Sequence, residues 1–146
     1  MTGLSSIPIQ VETPIPTPPQ HGNAIPILHE VRHALARLIE RGEPTQIDLN
    51  AIPFGPGDED RLTALLGSGE VEATIQALGP TRVRETAIPG VWLVDYYNEA
   101  GQRLALHLEI NNVPEILRAQ REDLATAVAA LDARLAPGAD DPRPSS

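Results

Sequence analysis

The clearest hydrophobic pattern in the chain lies between residues 90 and 110. Residues 90–97 and residues 103–110 have strand character, and the short polar link Asn98-Glu99-Ala100-Gly101 joins them. Two apolar runs joined by such a link are typical of a β-hairpin. The second run alternates with period two, as expected for a strand with one buried face, at Leu104, Leu106, Leu108 and Ile110.

The first arm of this hairpin is apolar on both faces. Val91 and Leu93 share one face, and Trp92, Val94 and Tyr96 share the other. We therefore expect this strand to lie centrally in the sheet. One layer of helices covers only one face of a sheet, so the face with Trp92 is expected to be bare and to bind a partner or a second copy of the chain. Packing of these aromatic residues in the core is the alternative.

Two helices are predicted before the sheet. The first begins after Asn23 and ends near Arg41, before Gly42. Its apolar stripe has helical spacing at Leu28, Val31, Leu35 and Leu38, widened by Ile27, Ala34 and Ile39. The second helix begins at Asp58 and stops at Gly67. Residues 45–52, between the helices, indicate either a weak strand or an extended link.

Alternation of apolar and polar residues predicts two more strands, over residues 70–77 and residues 81–88. A last helix is expected from a cap at Asn112 to about Leu135, with an apolar side of Leu117, Leu124, Val128, Leu131 and Leu135. The predicted fold class is α+β: an antiparallel meander of about four strands over residues 70–110, packed against about three helices.

Proline content separates both ends of the chain from this fold. Residues 1–22 are predicted to be a proline-rich disordered arm, and residues 137–146 a disordered tail. Residues 23–136 are predicted to form a single domain.

Composition limits the classes of function. The net charge of −9 argues against nucleic-acid binding, because contact with phosphates needs clustered basic residues. The absence of cysteine excludes disulfides, thiolate metal ligands and a cysteine nucleophile. No segment indicates a secretion signal or a membrane span, so a cytoplasmic protein with no membrane partner is expected.

Charged side chains are predicted to decorate the outer face of the sheet, at Glu70, Glu72, Arg82, Arg84, His107 and Glu109. A solvated face with Glu–Arg pairs is favoured over a metal or proton-transfer site. The predicted partner-binding surface combines the bare apolar face with part of this polar surround, and consists of Trp92, Val94, Tyr96, Glu70, Glu72, Arg84 and Glu109.

The first predicted helix carries an H-E-x-x-H motif, from His29 through Glu30 to His33. On a helix this spacing places both imidazoles on one side, where they can bind zinc while the glutamate activates water. Arg32 puts a cation into that turn, and the apolar stripe leaves both histidines at its edge or on the solvent side. A zinc-dependent hydrolase is therefore the alternative function, and no catalytic residue or cofactor is assigned.

Several strings resemble the C-terminal conserved region of the HupH/HyaF hydrogenase expression/formation proteins. The most specific is E-T-A-I-P-G-V-W at residues 85–92, followed by L-E-I at residues 108–110 and V-P-E-I at residues 113–116. L-L-G-S-G-E-V at residues 65–71 resembles the entry into the same region.

The resemblance implies a non-enzymatic accessory protein, or chaperone, in the maturation of uptake [NiFe] hydrogenases. Its partners would be the iron–sulfur small subunit, before export, and other maturation proteins. Members of this family commonly have more than one copy of such a region, so a homodimer of this chain is a further expectation.

Overall fold

The predicted hairpin lies at the centre of a five-stranded antiparallel sheet in this computed structural model, which describes residues 22–138. Its arms are β4 (Val91–Tyr97) and β5 (Arg103–Ile110). Asn98 shapes the link between them, because its Oδ1 accepts the backbone N–H groups of Ala100 and Gln102, both at 2.9 Å. The hairpin prediction is confirmed.

Three further strands complete the sheet, in the order β1-β5-β4-β3-β2. The strands β2 (Glu72–Ile75) and β3 (Thr81–Glu85) continue the meander on one side of the hairpin. On the other side β1 (Thr45–Asp48) pairs with β5 and forms the opposite edge. The α+β class and the meander over residues 70–110 are confirmed, and β1 adds a fifth strand from the stretch that indicates either a strand or a link.

The first two helices have the predicted limits: α1 spans Ala24–Arg41 and α2 spans Asp58–Leu66. Gly42 ends α1 in the left-handed conformation (φ 69°), where its N–H donates to the Leu38 carbonyl at 2.9 Å. Asn23 occupies the N-cap position, but its side chain donates instead to the Pro53 carbonyl at 2.8 Å.

Both helices pack on one face of the sheet, which we call the helix face. Its buried side chains come from α1 (Ala24, Ile27, Val31, Ala34), from α2 (Leu62, Leu66) and from the strands (Val91, Leu93, Leu106, Leu108, Ile110). Ile39 was expected in this stripe but is 84% exposed. The buried stripe is centred near Val31, and successive residues rotate by about 100°, so Ile39 falls on the flank of the helix.

The opposite face of the sheet, which we call the far face, has its own apolar cluster. Val83, Trp92 and Val94 are buried there, and Ala73 and Tyr96 pack against them. The apolar residues of β5 therefore point to the helix face, whereas those of β3 and β2 point to the far face. Because β4 lies between these two halves, it is apolar on both faces.

The second unit consists of residues 115–138, after a first unit that spans residues 22–114. It contains a 3₁₀ turn, Glu115–Leu117, and the helix α3, Arg121–Leu135. No side chain of α3 is buried, and its apolar stripe is exposed at Leu124, Val128, Leu131 and Leu135.

The predicted start of this last helix at Asn112 is wrong. Asn111 Oδ1 accepts the Asn112 N–H at 2.8 Å, and the Asn111 N–H donates to the Gly90 carbonyl at 2.9 Å. These bonds, together with the buried side chain of Pro114, hold the segment against the sheet in a non-helical conformation.

The predicted arm over residues 1–22 and tail over residues 137–146 lie outside the described residues, apart from Gly22, Pro137 and Gly138. That residues 23–136 form a single domain stays a prediction.

Candidate partner-binding site

Two of the strings that carry the family resemblance, residues 65–71 and residues 85–92, come together at one end of the sheet. The N–H of Gly69 donates to the Glu85 carbonyl, the N–H of Glu85 donates to the Val71 carbonyl, and the N–H of Ala87 donates to the Leu66 carbonyl, each at 2.9 Å. Residues 65–71 therefore lie alongside residues 85–87. We call this loop, residues 67–71, the glycine loop.

The side chain of Glu85 fixes the glycine loop. Its Oε1 accepts the N–H groups of Glu70 and Val71, at 3.1 and 3.2 Å. A carboxylate that receives two backbone donors forms charge-assisted hydrogen bonds, which are stronger than neutral ones. The contact holds the loop at the start of β2 and leaves the Glu70 side chain exposed.

Gly69 permits this close approach, because a Cβ atom there would lie 2.5 Å from the Thr86 carbonyl oxygen and 2.7 Å from Glu85 Oε1. We expect Gly69→Ala to push the loop away and to lower the free energy of unfolding by about 1–3 kcal/mol. Chemical denaturation measures this loss. Ser68→Ala, at an exposed neighbouring position, is the control and should cost less than about 0.5 kcal/mol. Equal stability of the two variants would contradict the steric role of Gly69.

The turn that follows is held by Thr86 and Gly90. The buried Thr86 hydroxyl donates to the Val91 carbonyl at 2.9 Å, and it accepts the Ile88 N–H at 3.1 Å. Gly90 has φ 86°, in the left-handed region that favours glycine. The turn therefore aligns Trp92 with the end of β5, where its Nε1 donates to the Asn111 carbonyl at 3.1 Å.

Burial of the far face overturns the expectation that it is bare. Trp92 is 7% exposed and Val94 is fully buried, while Tyr96 is half-buried. The prediction placed Glu72, Arg82 and Arg84 on the outer face of the sheet, whereas the residues that alternate with them, Val83 and Ala73, build the far-face cluster. Of the three predicted contact residues, only Tyr96 presents substantial surface.

Tyr96 borders a polar group on the far face. Its ring meets the His107 ring edge to face, with 5.1 Å between centroids, and His107 Nε2 lies 3.8 Å from Asp48 Oδ1. Burial, and to a lesser extent the charge of Glu109, raises the pKa of the Tyr96 hydroxyl. Glu109 itself is buried, and its Oε2 accepts from Asn111 Nδ2 at 3.1 Å.

The predicted polar surround is divided between the two faces. Arg84 lies opposite Leu93 in the register and therefore points to the helix face, whereas Glu109 lies opposite Trp92 and points to the far face. The expectation that Glu72, Arg84 and Glu109 share one outer face is wrong. The apolar residues of β5 point to the helix face, and those of β2 and β3 point to the far face. The polar residues of β2 and β3 therefore lie on the opposite side of the sheet from the polar residues of β5.

Glu70, Glu72 and Arg84 do come together, however, around a cleft of about 290 Å³ between the glycine loop and β3. We call it the Glu72 cleft. Glu85 lines one side, and Leu93 from β4 also contributes to its lining. Arg82 donates to Glu72 Oε2 at 3.1 Å. Three of the seven residues of the predicted surface thus line one open, charged cleft away from Trp92.

Sequence reasoning missed a buried carboxylate at the centre of the helix face. The side chain of Asp95 is 2% exposed, and it pairs with Arg84 (Nη2 to Oδ2, 2.9 Å) and with Arg103 (Nη1 to Oδ1, 3.6 Å). Arg103 continues the network to Glu59 on α2. The sequence does contain a signal for it, because Asp95 is an acidic residue inside an apolar strand. A buried charge needs a counter-charge, so this position indicates an ion pair with a basic residue.

The Glu59–Arg103 pair at the end of this network predicts a pH dependence. Its two hydrogen bonds, of 2.9 and 2.7 Å, lower the pKa of Glu59 below its usual value of 4.5. The resulting stabilisation is present above pH 4.5 and is lost as the pH falls through the lowered value in the folded state. Both side chains are about one-third exposed, so we expect less than about 1 kcal/mol.

The test compares denaturant unfolding of the original chain and Glu59→Gln across this range. The difference in free energy should shrink towards zero in acid, whereas a difference that grows on acidification would contradict the assignment.

The H-E-x-x-H motif lies on α1 with His29, Glu30 and His33 all exposed. Within residues 22–138, no group of three or more His, Cys, Asp or Glu side chains is placed to hold a metal ion. The histidines therefore lack a third protein ligand there, and the zinc-hydrolase alternative is not favoured. No helix in the same residues has the length and apolarity to cross a bilayer.

Comparison with known proteins settles the family. The family model "HupH hydrogenase expression protein, C-terminal conserved region" matches residues 22–137. The chain belongs to the HupH family. The match includes all the strings at residues 65–71, 85–92, 108–110 and 113–116, so the resemblance seen in the sequence is confirmed.

Individual relatives agree with this family. The chain is 35% identical to the hydrogenase expression/formation protein HoxQ of Azotobacter vinelandii over 104 residues, which is 70% of the chain and 37% of the relative. It is 32% identical to HupH of Rhizobium leguminosarum bv. viciae over 117 residues, 80% of the chain and 41% of the relative. The chain thus spans about two-fifths of the length of these curated relatives.

A solved structure shares the fold. The hydrogenase expression protein HupH from Thiobacillus denitrificans is 43% identical and superposes with a TM-score of 0.75. The likeness covers 80% of this chain and 97% of the solved one. The fold of the HupH region is therefore shared by the two proteins.

Proposed function

We propose that the chain is a non-enzymatic accessory protein in the maturation of an uptake [NiFe] hydrogenase. The observation that carries this proposal is the family match over residues 22–137, supported by relatives that are named hydrogenase expression/formation proteins. In this proposal the chain acts as an assembly chaperone in the cytoplasm and binds the iron–sulfur small subunit before export.

The chain's own residues suit a holding role. It has no cysteine, so it would bind the apoprotein of the small subunit and would not ligate an iron–sulfur cluster through thiolates. Two partly open surfaces are available for that contact: the Glu72 cleft and the exposed edge of the far face at Tyr96.

The proposed partner-binding residues then have two different roles. Glu70, Glu72, Arg84 and Tyr96 are accessible enough to contact the partner directly. Trp92, Val94 and Glu109 are buried and would support the surface from behind, so substituting them tests folding before it tests binding. The proposed contact residues are thus a subset of those that the sequence indicates.

Affinity capture from cells that express the hydrogenase tests this function. The tagged chain should retain the small-subunit precursor, and deletion of its gene should reduce the amount of mature hydrogenase. Expression of the tagged chain should restore it. Failure to capture the precursor, together with normal hydrogenase maturation in the deletion strain, would refute the proposal.

A further inference from the structure

The strand β2 forms a free edge of the sheet. It pairs with β3 on one side, and no strand in residues 22–138 pairs with its other side. Protein edges are usually protected from pairing by lysine, proline or a bulge. β2 contains no lysine or proline, although it is only four residues long and carries the charged Glu72. Val71 directly precedes it, Leu78 follows three residues after its end, and both apolar side chains are exposed. This edge is therefore open to an added strand.

The hydrogen-bond register shows which backbone groups are available. The Val71 carbonyl accepts the Glu85 N–H at 2.9 Å, so the backbone of Val71 is directed towards β3. Hydrogen-bonded and non-hydrogen-bonded positions alternate in an antiparallel pair, so Ala73 is directed the same way. The N–H and C=O groups of Glu72 and Thr74 consequently point outward from the sheet.

Two clefts lie beside this edge on the helix face. The Glu72 cleft is next to the start of β2. A second cleft of about 400 Å³, which we call the Tyr97 cleft, is lined by Thr74, Gln76, Pro80, Arg82, Tyr97 and Gly101. Side chains on one face of a strand recur at every second residue, about 6.6 Å apart. One added strand can therefore place side chains in both clefts.

Charge at the Glu72 cleft selects a basic occupant. Arg84 is already paired with Asp95, and Arg82 with Glu72. Glu70 and Glu85 remain as an excess of negative charge, since among residues 22–138 Glu85 receives only neutral backbone donors. The net charge of −9 on the whole chain has the same sign. A guanidinium or ammonium group is thus the complementary partner here.

We propose that the β2 edge binds an extended, basic peptide segment of a partner protein by adding it as a sixth strand. The peptide places an arginine or lysine in the Glu72 cleft and an apolar side chain, two or four residues along, against Tyr97. That this segment belongs to the hydrogenase small subunit rests on the proposed function. The surface and its chemistry follow from the residues above.

A synthetic probe tests the surface directly. The probe is a short fluorescein-labelled peptide in which threonines alternate with one arginine and two valines, and its binding is followed by anisotropy at low salt. Replacement of its arginine by glutamate should weaken binding about tenfold or more. N-methylation of the backbone amides that face β2 should abolish binding, because strand addition needs those donors.

Variants of the chain supply matched controls. Glu70→Lys and Glu72→Lys should each weaken binding about tenfold, whereas Glu40→Lys, an equal change of charge on the exposed side of α1, should stay within about twofold. Hydrogen exchange adds a readout that needs no variant: the outward N–H groups of Glu72 and Thr74 should become protected when the peptide binds.

Specific results would overturn the inference. Equal binding of the N-methylated peptide, or unchanged exchange at Glu72 and Thr74, would exclude strand addition. A chain that forms a dimer broken by Thr74→Pro would assign the edge to a second copy.

If the original chain captures the small subunit and Glu70→Lys captures it equally, this surface fails while the proposed function stands. If no subunit is captured but the peptide binds as described, the proposed function fails alone.

Discussion

Replacement of Trp92 by alanine is expected to destabilise the chain by about 3–5 kcal/mol, as deletions of large buried side chains do. The indole packs with Val83 and Val94 and is only 7% exposed. Its Nε1 also donates to the Asn111 carbonyl at 3.1 Å, and that buried acceptor would lose its partner. A loss of this size is a large part of the stability of an ordinary domain, about 5–15 kcal/mol. Denaturant unfolding monitored by circular dichroism measures it.

A smaller substitution separates the two contributions of Trp92. Trp92→Phe keeps an aromatic ring in the far-face cluster but removes the N–H donor, so it should cost about 1–3 kcal/mol. If Trp92 instead served a partner and not the core, Trp92→Ala would unfold at the same denaturant concentration as the original chain. That result would restore the expectation of a bare far face.

Removal of the charge at Asp95 has the second largest expected effect. Asp95→Ala leaves Arg84 and Arg103 without their shared carboxylate, and Arg84 Nε is already buried without a hydrogen-bond partner within residues 22–138. Breaking a buried ion pair typically costs about 3–5 kcal/mol. Both arginine side chains are about one-third exposed and can gain water, so we expect about 2–3 kcal/mol.

Two comparisons test whether the loss at Asp95 comes from the unpaired charge. Glu72→Gln breaks the exposed pair with Arg82 and should cost less than about 1 kcal/mol. The double change Asp95→Leu with Arg84→Met removes both partners and should recover part of the stability lost in Asp95→Ala. A double variant less stable than Asp95→Ala would show that the loss has another origin.

Local signals account for the parts of the fold that the sequence predicts well. The hairpin is defined by its alternation and its Asn98–Gly101 link, and α1 by its stripe and Gly42. The strand β1 is four residues long and three of them are polar, so its place in the sheet depends on pairing with β5, about sixty residues away. A short strand that is stabilised mainly by pairing with a distant segment shows only a weak pattern of apolar and polar residues in its own sequence.

The candidate site was predictable as a set of segments but not as a surface. Alternation places Arg84 and Glu109 on polar sides of their own strands, yet it does not say that those sides are opposite faces of the sheet. The change occurs at β4, because Leu93 pairs with Leu108 on one side and Val94 pairs with Val83 on the other. The role of Glu85 in fixing the glycine loop likewise depends on contact between distant segments.

The position of β1 has a consequence for the order in which the sheet assembles. The strands β2 to β5 are consecutive hairpin neighbours, so each pair closes a short loop. β1 has to find β5 across the rest of the chain, and non-local pairing of this kind forms slowly. During refolding, the amides of β1 should therefore acquire protection after those of the β4–β5 hairpin. In the native state, the two four-residue edge strands, β1 and β2, should also open before the central strands.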